Sequence, residues 1–314
     1  MGKRYATVVC FLALLGLALP AAAQPTVNVG SIPIGSELPL HAAIRQGFFD
    51  EEGINLKVQV VAGGAAAIPA LVGGSLQLSM SAYISVFAAR DKGFDITIVA
   101  PYDRVGPNND PSPIIVRADS GISRAQDLAG KTVAVNVIKS LNWLYAVEWI
   151  SRAGLNPERV NWLELAFPPM LGAVRAKQVD AAYATEPFTT LELAQGGLKV
   201  LARPFSEVDS QLPISGVIGK ETWLKANSSV VERFARALRK GTDYLNRNKE
   251  KWPEVLATYT RIKPEWVPKM TVSVYEYPVN LPRLQASADL TQKWGLTGKR
   301  LDVKEAVWPT ALAR

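Results

Sequence analysis

From Thr26 onward, short runs of β-branched residues alternate with helical stretches and glycine breaks, and this alternation constrains the fold more tightly than any other feature. It is the pattern of βαβ units, in which each helix returns the chain to a neighbouring parallel strand. Residues 27–30 read as a first strand and 38–49 as a helix halted near Gly47. Ile54, Leu56, Val58 and Val60 then alternate with Asn55, Lys57 and Gln59, which predicts a strand buried on one face. Gly63 and Gly64 open a small-residue helix closed by Gly73 and Gly74. A strand at 76–80, a helix at 82–92 and a strand at 96–100 complete a wound α/β lobe.

A loop of Pro, Asn and Asp at 107–113 leads into an apolar strand at 114–116, and reads either as a crossing between lobes or as a surface loop. A strand at 132–135 begins a second βα series that runs to Leu201. A further Pro-containing stretch, 203–213, precedes a strand at 214–218, and beyond Glu221 the chain reads as nearly all helical, with 230–246 the clearest amphipathic span. The expectation is two α/β lobes, two crossings and a helical tail. The first lobe takes 24–105 plus 214–314, and the second takes 106–213 with the hinge crossings. Residues 74–80 and 177–183 each join a helix end to a short buried strand, a faint echo compatible with two equivalent lobes.

Composition narrows the function classes. With 314 residues, 48% hydrophobic and 20% charged, the chain suffices for about two domains and is not a disordered one. Lys3 and Arg4, the apolar run 5–19, Pro20 and Ala21-Ala22-Ala23 have the layout of a secretory signal, with cleavage expected after Ala23. The run is shorter than the ~20 residues a helix needs to cross hydrocarbon. Cys10, the one cysteine, falls inside it, so the mature chain is expected to carry none. One histidine then leaves little material for a zinc or iron–sulfur site, and no cofactor is expected. The formal charge of +7 includes Lys3 and Arg4, and no basic run exceeds a pair, so nucleic acid is not an expected partner. An exported, cysteine-free soluble chain points to the bacterial periplasm.

Several segments together resemble a known family. Residues 39–53 run from an apolar helix through Gly47-Phe48-Phe49 and Asp50-Glu51-Glu52 to Gly53; Gly73-Gly74-Ser75-Leu76-Gln77, Asp127-Leu128-Ala129-Gly130-Lys131, Gln178-Val179-Asp180-Ala181 and Glu186-Pro187 follow in order. The chain resembles the solute-binding proteins of ABC importers for nitrate, taurine, alkanesulfonates and thiamine-type pyrimidines over nearly its whole mature length. Gln77 departs from the pattern, which usually carries an acidic residue there. The resemblance implies a two-lobed periplasmic binding protein type II fold, a venus flytrap whose lobes are each a wound, mostly parallel sheet with flanking helices. It also implies a small-molecule ligand in the cleft and an inner-membrane permease with its ATPase as partners, with the protein itself a monomer.

Ligands of open α/β sheets bind beyond the carboxyl ends of the strands, where loops lead into helix N-termini. On that rule the small-residue loop through Ser36 is a candidate, as are Gly64 and Ala65, which are either a tight turn or a close backbone approach to ligand. Ser81 is either a simple N-cap or a cap that also donates its hydroxyl to ligand. Ser140 and Asn142 present polar groups at a helix start and form the best single ligand loop. Tyr83, Trp143, Phe167 and Phe188 are either apolar walls of the site or core. Arg104 either pairs an anionic group or is a surface arginine. His41, the only histidine, either faces the cleft or is packed. Glu186 either accepts hydrogen bonds from a polar ligand or is a helix-entry charge.

The leading reading is a binding module without turnover that captures a small organic anion, a sulfonate or carboxylate, with a neutral pyrimidine as runner-up. An enzyme on the same fold is the second reading. The related pyrimidine synthases depend on histidine and a cysteine-rich signature that this chain lacks, and no G-x-S-x-G motif is present to hold a nucleophile. A sensor that docks on a membrane kinase when loaded is the third.

Overall fold

A computed structural model describes residues 24–313; the expected signal segment and Cys10 lie outside the described residues. The first series comprises β1 (Thr26–Ser31), α1 (Leu38–Arg45), α2 (Phe48–Glu51), β2 (Asn55–Val60), α3 (Gly64–Val72), β3 (Leu78–Ala82), α4 (Tyr83–Asp91) and β4 (Ile96–Arg104). The second comprises β5 (Ile114–Arg117), β6 (Thr132–Val135), α5 (Leu141–Arg152), β7 (Asn161–Glu164), α6 (Phe167–Arg175), β8 (Ala181–Tyr183), α7 (Phe188–Ala194) and β9 (Leu198–Ala202). The chain returns through α8 (Pro204–Val208) to β10 (Pro213–Lys220), then adds α9 (Glu221–Ala226), α10 (Ser228–Arg247), α11 (Trp252–Leu256), β11 (Val274–Tyr275) and α12 (Leu281–Lys293). The helix expected over 38–49 is two helices, because Gly47 takes φ 75°, a left-handed conformation that stops α1.

Two sheets result, in the orders β11-β4-β10-β3-β1-β2 and β7-β6-β8-β5-β9. Without the two-residue edge strand β11, the orders correspond strand for strand. In each, the strand that arrives from the other series, β10 or β5, is inserted antiparallel between two strands of the receiving one. Only β1 with β2 and β3, and β6 with β7 and β8, pair in parallel, so the sheets are mixed where the local alternation predicts mostly parallel ones. Local spacing carries no trace of a strand contributed from a hundred residues away.

The echo noted in the sequence falls on β3 and β8, which hold the same place in the two sheets. Gln77 N–H donates to Asn28 O at 3.0 Å while Asn28 N–H donates to Gln77 Oε1 at 2.8 Å. Asp180 N–H donates to Thr132 O, and Thr132 N–H to Asp180 Oδ2, both at 2.9 Å. The amide of Gln77 therefore makes the backbone contact that a carboxylate makes in the other half.

The first sheet is covered by α10, whose Val231, Phe234, Ala235 and Leu238 repeat at helical spacing and are buried. Phe234 meets Phe49 at 5.1 Å between ring centroids. Val231, Phe234 and Leu238 each contribute about 1.5–3 kcal/mol when taken fully out of water. β2 departs from its expected half-buried pattern: Val58 is 40% and Val60 77% exposed, because β2 is the sheet's outermost strand. The two crossings, 105–113 and 203–212, are joined where buried Asp110 accepts from the N–H groups of Ser112 and Ser206 at 2.9 Å each, and Arg203 donates to the Asp110 carbonyl.

Candidate ligand-binding cleft

A cavity of about 950 Å³ takes its walls from both series of elements. One wall begins at the N-terminus of α3, where Gly64 lies so close to β3 that a Cβ would overlap Ser81 Oγ and stand 2.5 Å from Ser81 Cα. Glycine is the residue that permits this approach. The floor carries Ser36 and Ser215, whose hydroxyls donate to the two oxygens of Asp103 at 2.7 and 2.6 Å. Asp103 is buried, and burial raises its carboxyl above the ordinary range against the lowering effect of hydrogen bonds from Ser215, Ser36 and Ser273.

The facing wall is the loop that enters α5. Ser140 caps that helix: its Oγ accepts from Trp143 N–H at 3.4 Å and donates to Asn136 Oδ1 at 2.9 Å. Two positions on, Asn142 is 7% exposed and lines the cavity, and its Nδ2 has no hydrogen-bond partner among the described residues. Phe167, the first residue of α6, adds an aromatic face and stacks on Phe188 with ring centroids 6.3 Å apart. The remaining lining is largely aliphatic, and its charged members are Lys92 and Lys139; no carboxylate lines the cavity among the described residues.

Of the residues singled out from the sequence, Ser36, Gly64, Ala65, Ser140, Asn142 and Phe167 line this cavity. Seven stand elsewhere. His41 stacks on Tyr259 at 3.7 Å between centroids, with Nε2 3.4 Å from Ser31 Oγ, beside buried Glu37. It is packed because α1 turns this face toward the C-terminal segment. Ser81 lies beneath Gly64 and donates to Ala82 O at 3.0 Å. Tyr83 opens α4 but is core, 1% exposed. Arg104 is drawn off by Glu276, which follows β11, and pairs with it bidentately. Trp143 packs edge-on against Trp162. Glu186 accepts from Thr190 Oγ1 at 2.7 Å and from Thr271 N–H at 3.3 Å, a latch between the second series and the C-terminal segment, and burial raises its carboxyl despite these bonds. Phe188 supports Phe167 from behind.

Sequence reasoning missed the part of the cavity between α3 and α4, lined by Ile68 and Val72 on one helix and Ile84 and Ala88 on the other. Each pair is spaced i, i+4, the spacing that puts two side chains on one helix face, so a signal was present. It also missed Ser215, which arrives on the inserted strand β10.

The family described as NMT1/THI5 like matches residues 36–251. A putative ABC transporter periplasmic binding protein of Brachyspira hyodysenteriae is 23% identical over 191 residues, 56% of this chain and 53% of that protein. The formylaminopyrimidine-binding protein of Halalkalibacterium halodurans is 25% identical over 226 residues, 70% of this chain and 65% of its own length. A 4-amino-5-hydroxymethyl-2-methylpyrimidine phosphate synthase of Saccharomyces cerevisiae is 23% identical over 260 residues, 78% of this chain and 74% of the enzyme. The chain thus spans between half and two thirds of the first two of these relatives. Among solved structures, the alkanesulfonate-binding protein SsuA of Xanthomonas axonopodis pv. citri bound to MOPS superposes with a TM-score of 0.78 at 22% identity, covering 92% of this chain and 99% of the other. That likeness establishes the two-lobed periplasmic binding protein fold. Because the family match spans well over half of the sequence, the chain belongs to the NMT1/THI5 like family.

Proposed function

We propose that the protein is the periplasmic solute-binding component of an ABC importer, and that it captures a small organic anion, a sulfonate or carboxylate, and hands it unchanged to an inner-membrane permease and its ATPase. The observation that carries this reading is the Asn142 amide, buried and unpartnered among the described residues beside the N-terminus of a 12-residue helix, in a cavity that none of their carboxylates lines. A helix start offers free N–H groups and about half a positive charge, and the Asn142 amide adds a donor. Such an end contributes about 0.3–1 kcal/mol, up to ~2 when partly buried, while micromolar affinity requires ~8 kcal/mol. The balance comes from the apolar walls and from closure of the lobes, 24–105 plus 214–314 against 106–213. A ligand touching both lobes stabilises the closed form by its differential affinity. The position of His41, away from the cavity, supports capture without turnover, as do the binding-protein relatives; the yeast synthase relative is the argument on the other side.

A neutral pyrimidine is the second reading, favoured by the formylaminopyrimidine-binding relative and by the aromatic face of Phe167. Thermal-shift screening of the purified protein against sulfonates, aromatic acids, nitrate and pyrimidines separates the two, because a bound ligand raises Tm by mass action. An anion is expected to give the largest shift, and Asn142→Ala to weaken its binding tenfold or more in calorimetry. Shifts from pyrimidines alone would transfer the site to the second reading. Catalytic conversion of any of these compounds would end both.

A further inference from the structure

We infer that Lys139 is a specificity-determining residue of the cleft, a cation kept at the entrance to α5 at a local cost in stability because it selects a charged ligand over a neutral one; this rests on the anion-binding reading. Lys139 takes φ 66°, in the left-handed region that favours glycine. It is the third residue of a turn closed by Ser140 N–H donating to Val137 O at 3.1 Å, and Ile138 N–H ties that turn to Glu164 Oε1 at 2.7 Å. Two other non-glycine residues among those described share the conformation, and each has a local reason for it. Asn108 belongs to a residue type that tolerates it. Lys177 follows α6 in an ordinary helix-ending arrangement, with its N–H donating to Val174 O at 3.1 Å and Gln178 N–H to Ala173 O at 2.9 Å. Lys139 has neither reason, and of the three it alone lines the cavity.

A second cost falls on the same residue. Ser140 is the N-cap of α5, so Lys139 sets a positive charge just before the positive end of a 12-residue helix, where an acidic residue is the stabilising choice. Lys92, the other cation of the lining, is the C-cap of α4, where positive charge suits the dipole. The Lys139 ammonium forms no hydrogen bond or ion pair with the described residues. Backbone strain and a like-signed helix pole at one position of a cavity wall persist where function requires them, at the expense of stability. An anion at the start of α5 offsets the second cost, because it answers the helix pole and the ammonium together. Lys139 is exposed, so it acts through its charge rather than through a fixed hydrogen bond.

Calorimetry with butanesulfonate and with butanesulfonamide, a neutral compound of nearly the same shape, isolates that charge. The parent is expected to prefer the sulfonate. Lys139→Gln is expected to reduce the preference about fivefold at low ionic strength and less at high salt, with sulfonamide affinity unchanged, and Lys139→Arg to keep it. In urea unfolding without added ligand, Lys139→Gly removes both local costs and is expected to raise the midpoint above that of the parent. A sulfonate preference that survives Lys139→Gln overturns the inference and leaves the anion reading standing. So does a midpoint that Lys139→Gly fails to raise, since the lysine then costs its turn nothing. Loss of the preference in Lys139→Arg also overturns it, because the charge is still present there. A parent that binds the sulfonate no better than the sulfonamide overturns the anion reading and this inference together.

Discussion

Asp103 organises the polar floor of the cleft from below. Because Ser36 and Ser215 both donate to it, their oxygens face the cavity as acceptors, and the donors for an anion are left to the helix starts and the Asn142 amide. The raised carboxyl of Asp103 has a consequence for stability. A group that holds its proton more tightly when folded contributes stability that is complete below its unfolded pKa, about 3.9, and is lost as pH rises through the higher folded value. Asp103→Asn removes that loss, whereas buried Glu37, also raised, is common to both proteins and cancels in the difference. The Tm of the variant minus that of the parent is therefore expected to rise between about pH 4 and neutrality in differential scanning calorimetry; a falling difference would contradict the assignment. The sequence reading ends this strand at Ala100 and leaves Asp103 unmarked, and its serine partners lie 67 and 112 residues away.

The helix α3 depends on a single close approach. With Gly64 against Ser81, an added methyl must push α3 away from β3, and overpacking of this kind costs about 1–3 kcal/mol. Gly64→Ala is expected to lower the unfolding free energy by that amount, read as a lower urea midpoint at unchanged slope, and to weaken ligand binding as the cavity wall shifts; an unchanged midpoint would show that α3 is not held there. Elements of this sort were largely readable in the sequence. The Gly63-Gly64 start and Gly73-Gly74 stop of α3 needed only glycine's backbone freedom, and α10 needed only helical periodicity. The α5 loop could be located from its capping serine, yet the same serine was credited to the ligand when its hydroxyl is spent on Trp143 and Asn136. The aromatic and charged candidates were left open for a common reason: Tyr83, Trp143, Arg104 and Glu186 sit at element ends, where sequence cannot tell whether a side chain meets the cleft or a neighbour distant in the chain. Arg104 meets Glu276, 172 residues on, and no local pattern announces it.

At the scale of the molecule, two like-ordered sheets are joined not only by the crossings but also by the C-terminal helix. α12 packs on α4 of the first series, while its residues bond to the second. Tyr145 and Ser287 share a hydrogen bond at 2.9 Å, Arg283 meets Asp209 at 2.9 Å, and Glu148 of α5 accepts from Lys293 Nζ at 2.7 Å and from Trp294 Nε1 at 2.8 Å. The lobe closure proposed above would have to carry α12 with one partner and release the rest, so these contacts would oppose it. Burial pushes the Glu148 carboxyl up, but the bonds from Lys293, Arg152 and Trp294 outweigh it and hold the group below its ordinary value. Its contribution to stability is then present above about pH 4.3 and lost as pH falls through the folded value. Lys293 and Arg152 are about half exposed, so solvent screens the pairs, and Glu148→Gln is expected to cost only ~1 kcal/mol near neutral pH. That deficit should shrink as the solution is acidified toward the folded pKa, because the parent loses the same interactions there. If the strap restrains the lobes in their present arrangement, the variant will also change ligand affinity although Glu148 does not line the cavity, and a Glu148→Gln protein with reduced Tm but unaltered binding would confine α12 to a purely structural role.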